Sequence, residues 1–267
     1  MTTMARALAD GAVMAKRNLI KIKRVPDLLV FSTLSPIMFV LLFAYVFGGS
    51  IDVPGVSYTE FLMAGIFAQT VVFGSTITGS GLATDIQKGI IDRFRALPMA
   101  RSAVLLGRTT SDVVNNVLVL VVMALTALIV GWRIHNGIPL ALAGFGLLLL
   151  FAYALSWAMA ALGLSVRSPE VFNNATFIAI FPLTFISNAF VPIENLPPPL
   201  QVIAEWNPLS AVTLAARELF GNTSPLFPAP DVWPMQNPLL ASLLWIVVIL
   251  IVFIPLAIRQ YRKAVAR

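Results

Sequence analysis

Apolar positions in this chain gather into six long uncharged runs, at about residues 28–47, 61–84, 113–132, 138–166, 171–193 and 238–258. At about 1.5 Å of helical rise per residue, twenty residues cross about 30 Å of hydrocarbon, so each run predicts a transmembrane helix. Pro36 lies inside the first run, where a membrane helix tolerates it at the cost of a local kink. Only RIHNG separates the third run from the fourth, which predicts an antiparallel helical hairpin. In the second run, small residues crowd the stretch from Gly74 to Gly81 and predict close contact with another helix. The expected fold is an all-α polytopic membrane protein with six transmembrane helices.

The polar breaks carry their own pattern. Between the second and third runs, Ile86, Ile90, Phe94 and Leu97 recur at three- and four-residue spacing, while Lys88, Asp92, Arg93 and Arg95 fall elsewhere around the helix. This predicts a short amphipathic helix over 86–97, with Asp85 at its start and Pro98 as its stop. Residues 1–27 are polar and basic, and read as an arm with an interfacial helix whose loose apolar side is Met4, Leu8, Met14 and Leu19. In the short polar interruption RSPE at 167–170, Pro169 sits where a new helix can begin. Farther on, Asn207 as a cap, Pro208 at the first helical position and Gly221 as a terminator predict a helix over 208–220. In the fifth run, Asn174, Thr184, Ser187 and Asn188 are polar groups that lipid does not solvate, so they should face other helices or a cavity.

Composition decides the solvent. The 267-residue chain is 58% hydrophobic and 11% charged, with a mean hydropathy of +0.89, against about 25% charged in soluble domains. One large soluble helical domain would lack polar surface to cover itself. Charge then gives orientation. With the N-terminus inside, an even number of spans returns the C-terminus inside, and 16 of the 18 Lys and Arg residues fall on inner segments; Arg133 and Arg217 are the two outside. The organisation expected is a cytoplasmic arm over 1–27, a membrane domain over 28–258 and a basic cytoplasmic tail over 259–267, with anionic membrane lipid as partner to the basic segments. The excess of cations is thereby assigned to membrane sidedness, with no nucleic acid called for.

Candidate chemistry is sparse. With Cys 0, no disulfide, thiol chemistry or thiolate metal site can form, and His135 is the one histidine, in a tight turn. No GxxxxGK[ST] string occurs, so a nucleotide is not bound in the P-loop manner. Acidic residues are absent from the centres of all six runs, which argues against a carboxylate relay for a proton-driven carrier. No catalytic residue, metal ligand or cofactor site is assigned to this chain.

Three strings then carry a resemblance: FRALPMARSAVLLGRTTSDVV at 94–114, LSVRSPEVFNNATF at 164–177 and FPLTFISNAFVPIENLPPPLQVIAEWNPLSAV at 181–212. The chain resembles the ABC-2 type permease family, and within it the membrane subunits of daunorubicin-resistance type exporters. The resemblance implies a bacterial inner-membrane permease that pairs with a second copy of itself and with two copies of a cytoplasmic P-loop ATPase, ATP and Mg belonging to that partner. It implies that the segment at 86–97 is the coupling helix to the ATPase, through Ile86, Ile90, Phe94, Arg95 and Leu97. It also implies a small re-entrant or interfacial structure over 200–220. Asn174, Thr184, Ser187 and Asn188 are then candidates for lining a route for a hydrophobic or amphipathic drug, polyketide or lipid. Export of a glycan or a haem-biogenesis cargo fits the same fold, and a membrane scaffold without a transport route is the reading of a different class.

The cation count yields a test of sidedness. Single cysteines replacing Lys88 and Arg262 should resist an impermeant thiol reagent added outside intact cells, and one replacing Asn222 should react. Outside labelling at position 88 reverses the orientation.

Overall fold

The computed structural model describes residues 34, 37–47, 54–90, 103–224, 226 and 228–266. Its elements are α-helical, with one π turn at Phe43–Phe47 and one 3-10 turn at Ile193–Asn195. The long helices are α1 (Tyr58–Gln87), α2 (Ala103–Val130), α3 (Gly137–Ser165), α4 (Pro169–Phe185) and, at the C-terminal end, α8 (Pro238–Ala266). Between α4 and α8 lie α5 (Pro198–Glu205), α6 (Pro208–Phe220) and the single turn α7 (Trp233–Gln236).

Four of these helices are long and apolar enough to cross a membrane: α1, α2 from Leu105, α3, and α8 as far as Ala264. This corrects the expectation of six transmembrane helices. Of the first apolar run, 28–47, the described helix covers only Ile37–Val46 and ends in the π turn. The fifth run, 171–193, stops being helical at Phe185 after 17 residues. An uncharged run reports compatibility with lipid, while helix length depends on where backbone carbonyls find other partners. After α4 they find them in Asn207. Its amide donates to the carbonyls of Leu183 at 2.8 Å and Ile186 at 2.6 Å, and its Oδ1 accepts from the N–H of Leu209 at 2.8 Å. One side chain thus closes the end of α4 and opens α6.

Helix signals in the polar breaks translate directly. The Ser168 hydroxyl caps α4 at the Val171 N–H, with Pro169 at the first position. Pro208 begins α6, and Gly221, at φ 77°, ends it in the left-handed conformation that favours glycine. The amphipathic helix expected over 86–97 is different. Helix α1 runs on through Ile86 to Gln87, so Asp85 lies in its last turn instead of starting a new helix. The chain then turns at Gly89, φ 64°, which separates Ile86 from Ile90. Phe94, Arg95 and Leu97 lie outside the described residues, as does the arm expected over 1–27. The basic tail expected over 259–267 continues α8 as far as Ala266.

The core forms where α1 and α3 lie against each other, and α2, α4, α6 and α8 pack around that pair. Their crossing requires two glycines. A Cβ on Gly163 would fall 2.3 Å from the Gly79 carbonyl oxygen, and one on Gly79 would fall 2.4 Å from the Met159 carbonyl and 2.3 Å from the Phe172 ring. Without side chains at the contact, the backbones approach closely enough to gain dispersion along their length, since lipid gives no hydrophobic drive to helix pairing. Part of the small-residue stretch read from 74–81 is therefore a packing face. At one end of the bundle, Phe67, Trp132, Phe145 and Phe220 form an aromatic cluster with ring centroids 5.0 to 6.4 Å apart. Those edge-to-face and tilted rings tie the α2–α3 turn to α6.

Gly163→Leu should separate α1 from α3. Overpacking at a backbone contact costs about 1–3 kcal/mol or more, and we expect a lower melting temperature in detergent for this variant. Gly146→Leu is the control, since a Cβ there meets nothing within 4 Å.

Candidate functional site

The two ends of the bundle hold different chemistry. Near Gln87, the Arg108 guanidinium lies 3.8 Å from the Asp85 carboxylate and points Nη2 at the Ile77 carbonyl, 3.4 Å away. Deeper in, Asp112 is 5% exposed and accepts a hydrogen bond from the Thr78 hydroxyl, while the Asn116 amide donates to the Asp112 carbonyl at 2.9 Å. Asp112 stands just before the uncharged run at 113–132, which by hydropathy alone puts it outside the span. Because α2 begins at Ala103, it lies instead in the third turn of a membrane helix. Its partner Thr78 sits in the small-residue stretch, so the hydrogen bond joins α1 to α2 two to three turns inside the two helix ends. Ile86 packs beside Leu82, Leu105 and Trp157.

At the opposite end the chain leaves α4 and packs on toward the start of α1. Phe172 lies against Gly79, the Ala189 carbonyl sits where a Cβ of Gly65 would be, and the Phe190 carbonyl accepts from the Tyr58 hydroxyl at 3.1 Å. This non-helical backbone needs donors, and Arg217 of α6 supplies them. Its Nε donates to the Phe61 carbonyl at 2.8 Å, and its Nη2 donates to the carbonyls of Asn188 at 2.5 Å and Ala189 at 3.3 Å. The guanidinium carbon lies 3.6 Å from the centroid of the Phe61 ring. The side chain is 2% exposed, and burial pushes its pKa down to about 9, with Tyr58 acting in the opposite direction. It therefore remains a cation at neutral pH. Burial also raises the pKa of its neighbour Glu218.

Sequence reasoning had counted Arg217 as one of two cations on an outer loop, and His135 as an incidental turn residue. In the structure the His135 Nε2 lies 2.7 Å from the Glu60 carboxylate, joining the α2–α3 turn to the start of α1. Asn222 is 1% exposed; its Oδ1 accepts from the Trp132 indole at 2.7 Å and its amide donates to the Arg133 carbonyl at 2.9 Å. A label meant to report this side belongs on exposed Asp231 instead of buried Asn222. The signal that could have marked Arg217 was its position: it lies three residues before Phe220, on the same side of an amphipathic helix as Thr213 and Phe220.

The four candidate route residues divide. Asn174 is exposed on α4, whereas Thr184, Ser187 and Asn188 are buried at its far end. The Thr184 hydroxyl donates to its own helix at the Ile180 carbonyl, 2.8 Å away, and that of Ser187 donates to the Thr184 carbonyl at 2.6 Å. The Asn188 N–H donates to the Ser210 hydroxyl at 3.2 Å. Beside Asn174, α4 exposes Phe177, Phe181 and Phe185, whose rings follow one another at 5.1 and 4.3 Å between centroids.

A helical bundle with polar groups at both ends, four helices apolar enough to cross a membrane and a non-helical segment packed on α1 after α4 is a multi-pass membrane architecture, and relatives give its class. Residues 11–220 match the ABC-2 type transporter family, and this chain belongs to it. It is 34% identical over 261 residues to the “Daunorubicin resistance ABC transporter permease protein DrrB1” of Streptomyces coeruleorubidus, covering 97% of this chain and 89% of that protein. It is 24% identical over 200 residues to the “Probable doxorubicin resistance ABC transporter permease protein DrrC” of Mycobacterium tuberculosis (strain ATCC 25618 / H37Rv), covering 73% and 68%. The chain is a membrane permease subunit of an ABC transporter, and such permeases work with a cytoplasmic ATPase subunit in membrane-embedded transport systems.

Arg217→Met should leave the Asn188 and Ala189 carbonyls without their donor. A buried polar group left unpaired costs about 1–3 kcal/mol, so melting in detergent should fall clearly, with Arg217→Lys intermediate because an ammonium lacks the planar fork. Equal melting of wild type and Arg217→Met would show that these bonds do not hold the segment after α4.

Proposed function

We propose that this chain is the transmembrane half of an ATP-driven exporter that moves a hydrophobic or amphipathic drug-like compound out of the cytoplasm or inner leaflet. The observation that carries the reading is the 34% identity across nearly the whole of both chains to a permease named for daunorubicin resistance. Two copies of the chain and two of the ATPase form the unit, with the segment between α1 and α2 facing the cytoplasm. The membrane domain is organised over 28–258, between a cytoplasmic arm and a basic tail.

Coupling enters where α1 and α2 are joined. Ile90, Phe94, Arg95 and Leu97 contact the ATPase, and Ile86 anchors the start of that segment in the bundle. Motion of the segment is passed to α1 and α2 together, because Asp85–Arg108 and Thr78–Asp112 connect them. The bundle then exchanges two packings, a two-state element biased by nucleotide on another subunit. For the route, the exposed face of α4 is favoured: Asn174 with Phe177, Phe181 and Phe185 offers aromatic stacking and one polar group to an amphiphile. Thr184, Ser187 and Asn188 support that face from behind, through the turn that ends α4.

The test uses inverted membrane vesicles holding permease and ATPase. Phe94→Asp places an unpaired carboxylate in the docking face and should abolish ATP-dependent uptake while the permease remains inserted. Phe181→Ala should lower uptake of aromatic amphiphiles more than of aliphatic ones, at unchanged melting temperature. A scaffold would support no ATP-dependent uptake in the wild type, and uniform loss across cargoes in Phe181→Ala would remove α4 from the route.

A further inference from the structure

The Arg217 end of the bundle contains a cavity of about 140 Å³. An apolar cavity of about 150 Å³ admits a benzene ring, so this space takes a small organic group of that order. Its floor is charged and desolvated. Arg217 lines it at 2% exposure, and among the described residues no carboxylate lies within ion-pair distance of that guanidinium. Three backbone carbonyls stabilise the cation through Nε and Nη2, while Nη1 takes part in none of those bonds. Asn188 also lines the cavity at 5% exposure, and its buried Oδ1 has no hydrogen-bond partner among the described residues. A buried cation without an anion and a buried amide with an unused acceptor are both costly unless something completes them.

The rest of the lining restricts what that can be. Glu218 on α6 and Glu194, both exposed, border the mouth of the space, so a bare anion would meet two carboxylates on entry. A group that joins an anion to an ammonium satisfies both signs: the anion beside Arg217, the ammonium towards Glu218, Glu194 and the acceptor of Asn188. Phe61, Val56, Ile193 and Leu214 supply apolar walls for the carbon atoms between. The cavity lies at the end of the spanning helices that carries Tyr58 and the α2–α3 turn.

We propose that this cavity is a binding site for a zwitterionic phosphate–ammonium head group, of the phosphoethanolamine kind, with the phosphate on Arg217 and the ammonium on Glu218. The site is separate from the exposed face of α4, and its existence does not depend on the cargo. A head group seated there also holds the segment after α4 against α1, because Arg217 bonds to both, to Phe61 of α1 and to Asn188 and Ala189 of that segment.

Native mass spectrometry of the purified full chain tests this, with dioleoylphosphatidylethanolamine, dioleoylphosphatidylglycerol and free phosphoethanolamine as probes. The ethanolamine lipid should be retained roughly tenfold better than the glycerol lipid, the worth of one hydrogen bond to a charged group. Ala229→Leu, which adds bulk to the cavity wall and leaves the Arg217 bonds in place, should remove that retention at an unchanged melting temperature. Glu218→Gln should bring the two lipids level. Displacement of lipid by free phosphoethanolamine assigns recognition to the head group in solution, and retention of lipid against it assigns the site to membrane lipid; both uphold the shared chemistry. Equal retention of the two lipids by the wild type overturns the proposal, as does ethanolamine-lipid retention unchanged in a folded Ala229→Leu. If Ala229→Leu does not fold, Glu218→Gln decides, and a preference unaltered in that variant sinks the idea.

Discussion

Backbone polarity in a bilayer is the constraint on which this structure depends. A helix satisfies its own carbonyls, and a chain that leaves the helix must find other donors or stay out of hydrocarbon. After Phe185 this chain leaves the helix beside α1, and three side chains make that possible. The Asn207 amide takes the last carbonyls of α4, the Arg217 guanidinium takes those of Asn188 and Ala189, and the Tyr58 hydroxyl takes that of Phe190. Removing water from a guanidinium costs several kcal/mol. That expense is offset here by three carbonyl dipoles and an aromatic face, arranged by α6 before any ligand arrives.

Helix α6 can do this because both of its own ends are fixed. Asn207 and Pro208 start it, Gly221 ends it, and the Asn222 side chain ties that end to the Trp132 indole and the Arg133 carbonyl. The Phe67, Trp132, Phe145 and Phe220 cluster then locks the helix over the α2–α3 turn. At the other end of the bundle polar side chains add to the packing, with Asp85–Arg108 and Thr78–Asp112 joining α1 to α2. Between them, Gly79 and Gly163 let α1 and α3 touch. A permease that works by exchanging packings needs segments that move as units, and these contacts define one: α1, α2 and α3 linked at the middle and at both ends.

Much of this was legible from one dimension. The uncharged runs established an all-α membrane protein, because a run of twenty apolar residues has few other stable environments. Local signals of short range also held: Pro169 opens α4, Asn207–Pro208 opens α6 and Gly221 closes it. Such signals are legible because a cap or a left-handed terminator acts within a few residues of itself.

What tertiary structure alone decided were the features that depend on residues far apart in the chain. Hydropathy reads 171–193 as one span, yet helix α4 stops at Phe185, because its terminal carbonyls bond to Asn207, more than twenty residues on. Counting charges places Arg217 on an outer loop, yet its partners are Phe61, Asn188 and Ala189 in the interior. Asp112 reads as the end of a polar loop, yet α2 carries it against Thr78. Sequence pattern determines which segments prefer lipid and where helices begin, since both are properties of neighbouring residues. Which polar groups are buried, and therefore where this permease holds charge, follows from donors and acceptors that only the folded chain brings together.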